Sequence, residues 1–582
     1  MSTHLPLDET QNKLPTLRHL ISDGSFWTLP EVPLLQTIQR EFPSELQRLK
    51  NATFLRDPTV PRPTQDKSMS ESLYSQDYAE INRTLVGILA LRWLWNDDYQ
   101  TFIGTRTQGP RSIILKRSSF DWIRDIFLNG LQSANDIYTL ITSMVINDLG
   151  KDPGLATDYA RVTGIDISHL NHDMVLYRVA KSDVEVEVDV EAGAGAGAGA
   201  GVEVEVGGGG GLIPALHKSR LTPSHRELLL AGIKLGSEFN FGQLAQAENA
   251  PASLAGLLEL RRHDRNHDHA RPNGDNNSTG GGNVIDQALS FEMRFMEQIL
   301  DLAGSAGHED CTCAKKMTEP VFQSYRNVYD VADAIIGWPQ QQPESDREAG
   351  NQDQQKQSEK EKDRRKETQK ITSLSLRQAY DIILTRKLQL LHDAGYCRPF
   401  DITCPRDRAI MRLFCLGNTT DGDTADVFFV AFAEYVSRET RRMLTYGLNL
   451  DGGVDEPAVQ PTYFPAMLTK ALRNTEIGNE NGTDTALAPD AGTDTGTGTP
   501  QQNNSKIKTV AAMLRYLARC LVVDQAVLEK LPKGVTVIER DVRGIADVVE
   551  SEAFRRDPDV LDEQAIPGGQ VANMALEDQV QV

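Results

Sequence analysis

Five residues supply the chemistry this sequence offers: Asp148, Lys151, His172, Asp173 and His225. Asp148 extends an apolar stripe of Ile123, Phe127, Leu131, Ala134, Ile137, Ile141 and Val145. Its +3 spacing from Val145 places a carboxylate on the buried face of a helix predicted over 118–149. The last turn of that helix is the negative end of its dipole, which costs a carboxylate about 0.3–1 kcal/mol. Burial adds a desolvation cost, and a cation is the natural compensation: Lys151, a distant arginine or a metal ion. The alternative is an Asp148 turned to solvent at a frayed end. Gly150 suits the residue after a helix C-cap, and Pro153 stops the helix.

His172 shares a face with Leu176 and Val179 on a following helix that Ser168 is placed to cap. Asp173 sits about 100° further round in the first turn, where an acid is favoured in any case. A third helix opens at Thr222-Pro223, a good cap and first residue, with His225, Leu228, Leu229 and Gly232 on one face. If the three helices pack together, Asp148, His172 and His225 form a donor set for a divalent ion of unspecified identity. Asp173 then assists, and Lys151 faces the phosphate of a small phosphorylated ligand. The rival reading makes the same side chains core and cap residues of a noncatalytic helical scaffold. A third makes the hollow a regulatory ligand site without turnover.

The elements that must position these groups are helical almost throughout. Residues 1–70 hold short helices near 31–49 and a Pro-rich connector. The periodicity of 71–339 predicts helices over 76–95, 118–149, 222–236, 242–260, 285–303 and 318–337. Low-complexity inserts interrupt it at 183–211, where Val/Glu alternation flanks a Gly/Ala tract, and at 261–283. The polar tract at 340–370 predicts a disordered linker. A second helical region spans 371–532, with helices near 372–394, 405–417, 424–446, 462–473 and 507–522 and a polar insert at 474–505. Over 533–582 a short strand at 535–539 and a helix at 540–554 precede an acidic tail. The expected fold class is mainly α: a multi-helix bundle with long disordered inserts and a second helical region.

Asn147-Asp148-Leu149-Gly150-Lys151 resembles the His-Asp helix end of the HD superfamily of metal-dependent phosphohydrolases. Asn171-His172-Asp173 with Tyr177-Arg178-Val179 is similar to that superfamily's second histidine helix, its inositol-oxygenase branch included. The resemblance implies an HD-like bundle and one or two metal ions that activate a water against a phosphoester, or dioxygen in the oxygenase branch. Asn147 stands where the family has its first histidine, and the helices over 76–99 and 118–149 carry no histidine, so the implied site is degenerate. Glu248 and Asp286 are the acids placed by position to serve as the final ligand. Polar inserts in a helical chain also resemble an uncharacterised protein family of filamentous fungi.

Composition narrows the partners. The 582 residues carry a formal charge of −21, which disfavours nucleic acid, since that needs a basic face. Six cysteines without a repeated CxxC suit a reduced, cytoplasmic setting better than a disulfide framework. The N-terminus lacks the apolar core of a signal peptide, and no apolar run approaches the ~20 residues of a membrane span. His308, Cys311 and Cys313 are too few and too close for a zinc knuckle. His263, His267 and His269 fall in a polar insert, and His392 near Gly395 reads as an ordinary helix end.

Overall fold

A computed structural model describes residues 15–52, 67–104, 113–193, 211–257, 287–308, 310–336, 376–452, 457–480, 500–523, 537–568 and 570–571. Over these residues the chain is mainly helical, as its periodicity predicts, with one small three-stranded sheet. The 340–370 tract, the 261–283 insert with its histidines, Asp286 and the tail from 572 lie outside the described residues, as do 194–210 and 481–499. No helix among the described residues is long and apolar enough to cross a membrane.

The chain forms two compact units, the first built from Met1–Ser168, His172–Lys234 and Gly282–Glu319. At its centre is α1 (Ala79–Trp95), apolar on every side, with Ile81, Leu85, Ile88, Leu89 and Leu94 all buried. A helix without a polar face must be enclosed by its neighbours. Against it pack α2 (Arg117–Gly130), α3 (Ala134–Ile146) and α6 (Gln287–Gly304), and the same unit holds α4 (His172–Gly193) and α5 (Pro223–Glu238, in this unit as far as Lys234). A Cβ at Gly304 would lie 2.2 Å from the Arg83 carbonyl oxygen, so a residue without one lets α6 settle onto α1.

The single helix expected over 118–149 is two, α2 and α3. Ser133 ends the first and starts the second: its hydroxyl accepts from the Asp136 amide, and the Asp136 carboxylate accepts from the Ser133 amide. That reciprocal box satisfies two amides that a continuous helix would have used otherwise. Helix α4 starts at His172, not after Ser168, and runs on through the Val/Glu tract to Gly193. Propagation from a packed helix is cheaper than nucleating an isolated hairpin. Thr222 and Pro223 open α5 as expected, the Thr222 hydroxyl accepting from the His225 amide.

The second unit comprises His169–Asn171, Leu235–Gly281 and Pro320–Val582. Its helices are α7 (Glu319–Ile336, from Pro320 on), α8 (Leu376–Asp393), α9 (Pro405–Leu416), α10 (Gly422–Val430), α11 (Arg438–Gly447), α12 (Phe464–Glu480) and α13 (Pro500–Cys520). Strand β1 (Ala458–Gln460) runs parallel to β2 (Val537–Glu539), and β2 runs antiparallel to β3 (Gln570–Val571). Gly395 closes α8 at φ +97°, the left-handed cap its sequence predicts. The helix expected over 424–446 is interrupted by a π turn at Ala431–Tyr435 and restarts at the Ser437 cap. The helix expected over 242–260 is broken: within the described residues it comprises Phe241–Ala245, a 3-10 turn at Pro251–Leu254 and helical residues 255–257.

Arg412 explains that break. Fully enclosed, it donates to the carbonyls of Ala247 (2.9 Å), Glu248 (3.0 Å), Asn249 (2.9 Å) and Leu448 (3.0 Å). The Tyr380 hydroxyl adds a bond to Asn249 at 2.8 Å. These side chains take up carbonyls that a helix would otherwise satisfy, and they hold 247–249 in the second unit. The compact units therefore cut the chain differently from the expected 71–339 and 371–532 regions, and the N-terminal helices belong with the first unit.

Candidate functional site

Asp148 follows the last turn of α3, with φ −101° and ψ 8°, ahead of a 3-10 turn over Leu149–Lys151. Asp152 then caps the helix Pro153–Thr163, accepting from the Gly154 amide at 2.9 Å. The expected role of Gly150 as a left-handed cap is replaced by a steric one. A Cβ there would lie 1.8 Å from the His172 carbonyl oxygen, so the glycine lets the start of α4 rest on the turn.

The Asp148 side chain is buried as its place on the apolar stripe requires, and cations compensate it. Lys151 Nζ lies 2.8 Å away and Arg83 Nη1 3.9 Å away. Glu80, one turn before Arg83 on α1, hydrogen-bonds Asp148 and stands 3.4 Å from Lys151. Arg83 also pairs with Asp301 on α6. Burial alone would raise the Asp148 carboxyl; Lys151, Arg83, the bond from Glu80 and the nearby His172 override it and hold Asp148 well below the usual carboxylate range. Glu80 moves the other way. Burial and the Asp148 charge push it up to about 7, against the pull of Lys151 and Arg83. Near neutrality one proton therefore sits mainly on Glu80, which donates to an ionised Asp148.

A second polar knot lies alongside. Arg294 on α6 donates to Asn147 Oδ1 at 3.0 Å and pairs with Glu297, which accepts from the Ser143 hydroxyl at 2.6 Å. With Asp173, Leu176 and Ile233 they line a small cavity with room for about one water. His172 is partly exposed and lies 3.7 Å from Asp173. His308, just past α6, is pushed down to about 4 by the protein packed around it and by Arg83 and Lys151, although part of its ring reaches solvent. Cys311 and Cys313 are buried, and burial pushes the Cys313 thiol up to about 11.

The three expected ligands do not converge. His225 Nε2 lies 3.1 Å from Asp136 in the capping box that starts α3, and its Nδ1 lies 2.6 Å from the Thr222 hydroxyl. Asp148 is at the other end of the same helix, roughly 18 Å away at 1.5 Å per residue. His172 approaches Asp148 closely enough for its charge to act there. Among the described residues no group of three or more His, Cys, Asp or Glu side chains is arranged to hold a metal ion. Lys151 and Arg83 already supply the positive charge at Asp148, where a divalent ion would have to displace or face them. Glu248 lies in the second unit, where it accepts from the Tyr463 amide at 3.0 Å and burial pushes it up to about 8.

Sequence reasoning missed Glu80, Arg83, Arg294, Glu297 and Asp301. Their signal is present: Glu80 and Arg83 are three apart on a helix otherwise apolar all round, and Arg294, Glu297 and Asp301 follow at +3 and +4 on one face of α6.

No curated protein and no solved structure matches the chain. A family model described as "Family of unknown function (DUF6829)" matches residues 35–189, 208–270, 282–345, 361–489 and 493–561. The breaks between these segments fall within the Gly/Ala tract, the histidine-containing insert, the 340–370 tract and the 474–505 tract. Most of the sequence is thus covered, both compact units included, and the chain belongs to this family of unknown function.

Proposed function

We propose that the protein is a noncatalytic helical scaffold whose Asp148 centre is an internal ion-pair core, with cations standing where a phosphohydrolase of the HD type would hold a metal. The observation that supports this is the 2.8 Å approach of Lys151 to a buried Asp148, backed by Arg83. An ammonium in that position neutralises the carboxylate that a metal would otherwise neutralise. Such a core fixes three segments against one another: the end of α3, the start of α1 and the last turn of α6. Ion-pair cores of this kind serve specificity of packing more than net stability.

Elemental analysis of the purified full chain, with a phosphodiesterase and nucleotidase screen, tests the reading. The expected result is far less than one divalent ion per chain and no turnover. A stoichiometric ion that is lost in Asp148→Asn overturns it.

One observation favours a second reading, hydrolysis of a phosphoester or nucleotide. Neighbouring carboxyls driven apart, Glu80 up to about 7 and Asp148 down, are what an acid and base pair needs near neutral pH. On this reading turnover appears in the screen, follows a pH profile with a limb near 7, and loses that limb in Glu80→Gln.

A further inference from the structure

The second unit carries a feature of opposite sign to the rest of the chain. Between the start of α9, the π turn and the outer face of α11 lies a surface groove of about 1350 Å³. Arg406, Arg438, Arg441 and Arg442 line it, against the single acid Glu439. Arg442 is held by Glu439 at 3.0 Å, and Arg441 donates to the Ala433 carbonyl within the π turn. Arg406 and Arg438 are exposed, and no hydrogen bond or ion pair engages either within the described residues. Tyr446, 61% exposed, stands beside them. The π turn is a second, independent mark, since such insertions cost helix hydrogen bonding and cluster at functional sites.

We infer that this groove binds a short acidic peptide in extended conformation. Three features choose that occupant. Guanidinium groups left unpaired on a surface of a chain with charge −21 complement carboxylates, which each can grip with two parallel hydrogen bonds. Along α11 from Arg438 to Tyr446 the groove follows roughly 12 Å of chain at helical rise, a span that about four extended residues fill at about 3.3 Å each. A long polyanion such as nucleic acid meets the repulsion of the whole acidic molecule, whereas a short peptide meets mainly the local basic field. Tyr446 supplies the exposed aromatic surface that, with arginine, dominates the energetics of protein recognition. The inference rests on the scaffold reading, because it names the partner class a scaffold would hold. It does not depend on the Asp148 centre.

The test is fluorescence anisotropy of a fluorescein-labelled hexaglutamate peptide with the full chain, beside a single-stranded DNA hexamer and inorganic phosphate as competitors. Saturable peptide binding is expected, weakening with salt and falling at least tenfold in Arg406→Glu/Arg438→Glu. The neutral pair Arg406→Gln/Arg438→Gln falls by less, and Tyr446→Ala weakens binding several-fold. Neither arginine makes a hydrogen bond or ion pair within the described residues, so thermal unfolding of the variants should match the parent. Absence of saturable peptide binding, equal affinity in both arginine pairs and the parent, or tighter binding of DNA or phosphate than of peptide would each overturn the proposal. Metal content and turnover are read separately, so failure here leaves the scaffold reading to its own experiment.

Discussion

Glu80 donates a hydrogen bond to Asp148, and the two carboxyls titrate in opposite directions from their ordinary values. The pair makes folding stability depend on pH with a sign that can be worked out. Unfolded, Glu80 returns to the ordinary glutamate value near 4.5; folded, it holds its proton up to about 7. Its contribution is therefore fully present below the unfolded value and is lost as pH rises through 7, by on the order of 3 kcal/mol. Glu80→Gln keeps a donor towards Asp148 without titrating. Urea unfolding at pH 5 and pH 8 should show a smaller loss in the variant than in the parent, by about 2–3 kcal/mol. Glu248, also raised, to about 8, is present in both proteins and cancels in the comparison. Equal losses would show that Glu80 ionises normally.

Removing either partner of the Asp148–Lys151 pair should cost more than removing both. Asp148→Asn leaves Lys151 and Arg83 with Glu80 as the carboxyl between them, and Lys151→Met leaves a buried Asp148 with Arg83 as its paired cation. Each is expected to destabilise by about 3 kcal/mol, with a coupling of about 1–3 kcal/mol in the double variant. Denaturant titration of the four proteins measures it, and strict additivity would mean that the pair is solvated.

Gly150→Ala places a methyl group 1.8 Å from the His172 carbonyl oxygen, inside any allowed contact. Backbone must move, and a loss of about 3 kcal/mol is expected. Gly232→Ala is the control. Its nearest neighbour beyond its own helix is 4.0 Å away, so helix propensity should stabilise it by about 0.5–1 kcal/mol. Melting temperatures moving together would remove the steric argument.

Arg412→Met deprives three consecutive carbonyls, and that of Leu448, of buried donors. The expected cost is on the order of 4 kcal/mol, with faster proteolytic cleavage near 247–249. Unchanged cleavage would mean that the turn is held by Tyr380 and its other neighbours.

The helical class, the caps at Thr222 and Gly395 and the burial of Asp148 were legible because each depends on residues three or four apart. Lys151 was legible as a partner of Asp148 for the same reason. Other parts needed long-range geometry. His225 shares a face with Leu228 and Leu229, yet its height along α3 is fixed by pairing with Asp136, which puts it at the wrong end of that helix for Asp148. Ser133 and Asp136 spell a capping box, but an unbroken apolar stripe from Ile123 to Val145 masks it. Glu80 meets Asp148 only because the end of α3 packs on α1, and Asp301 joins them through Arg83 only because α6 returns to α1. The carbonyls bound by Arg412 carry no side-chain identity, so no motif announces them.

The seat of Gly304 against the Arg83 carbonyl has a consequence for synthesis. The residue that covers this part of α1 emerges from the ribosome some 200 positions after it. At ordinary elongation rates of 5–20 residues per second, that is on the order of 10–40 s. During that interval a helix of almost purely greasy character has no finished neighbour on one side. A nascent chain in this condition is a natural client for holding chaperones.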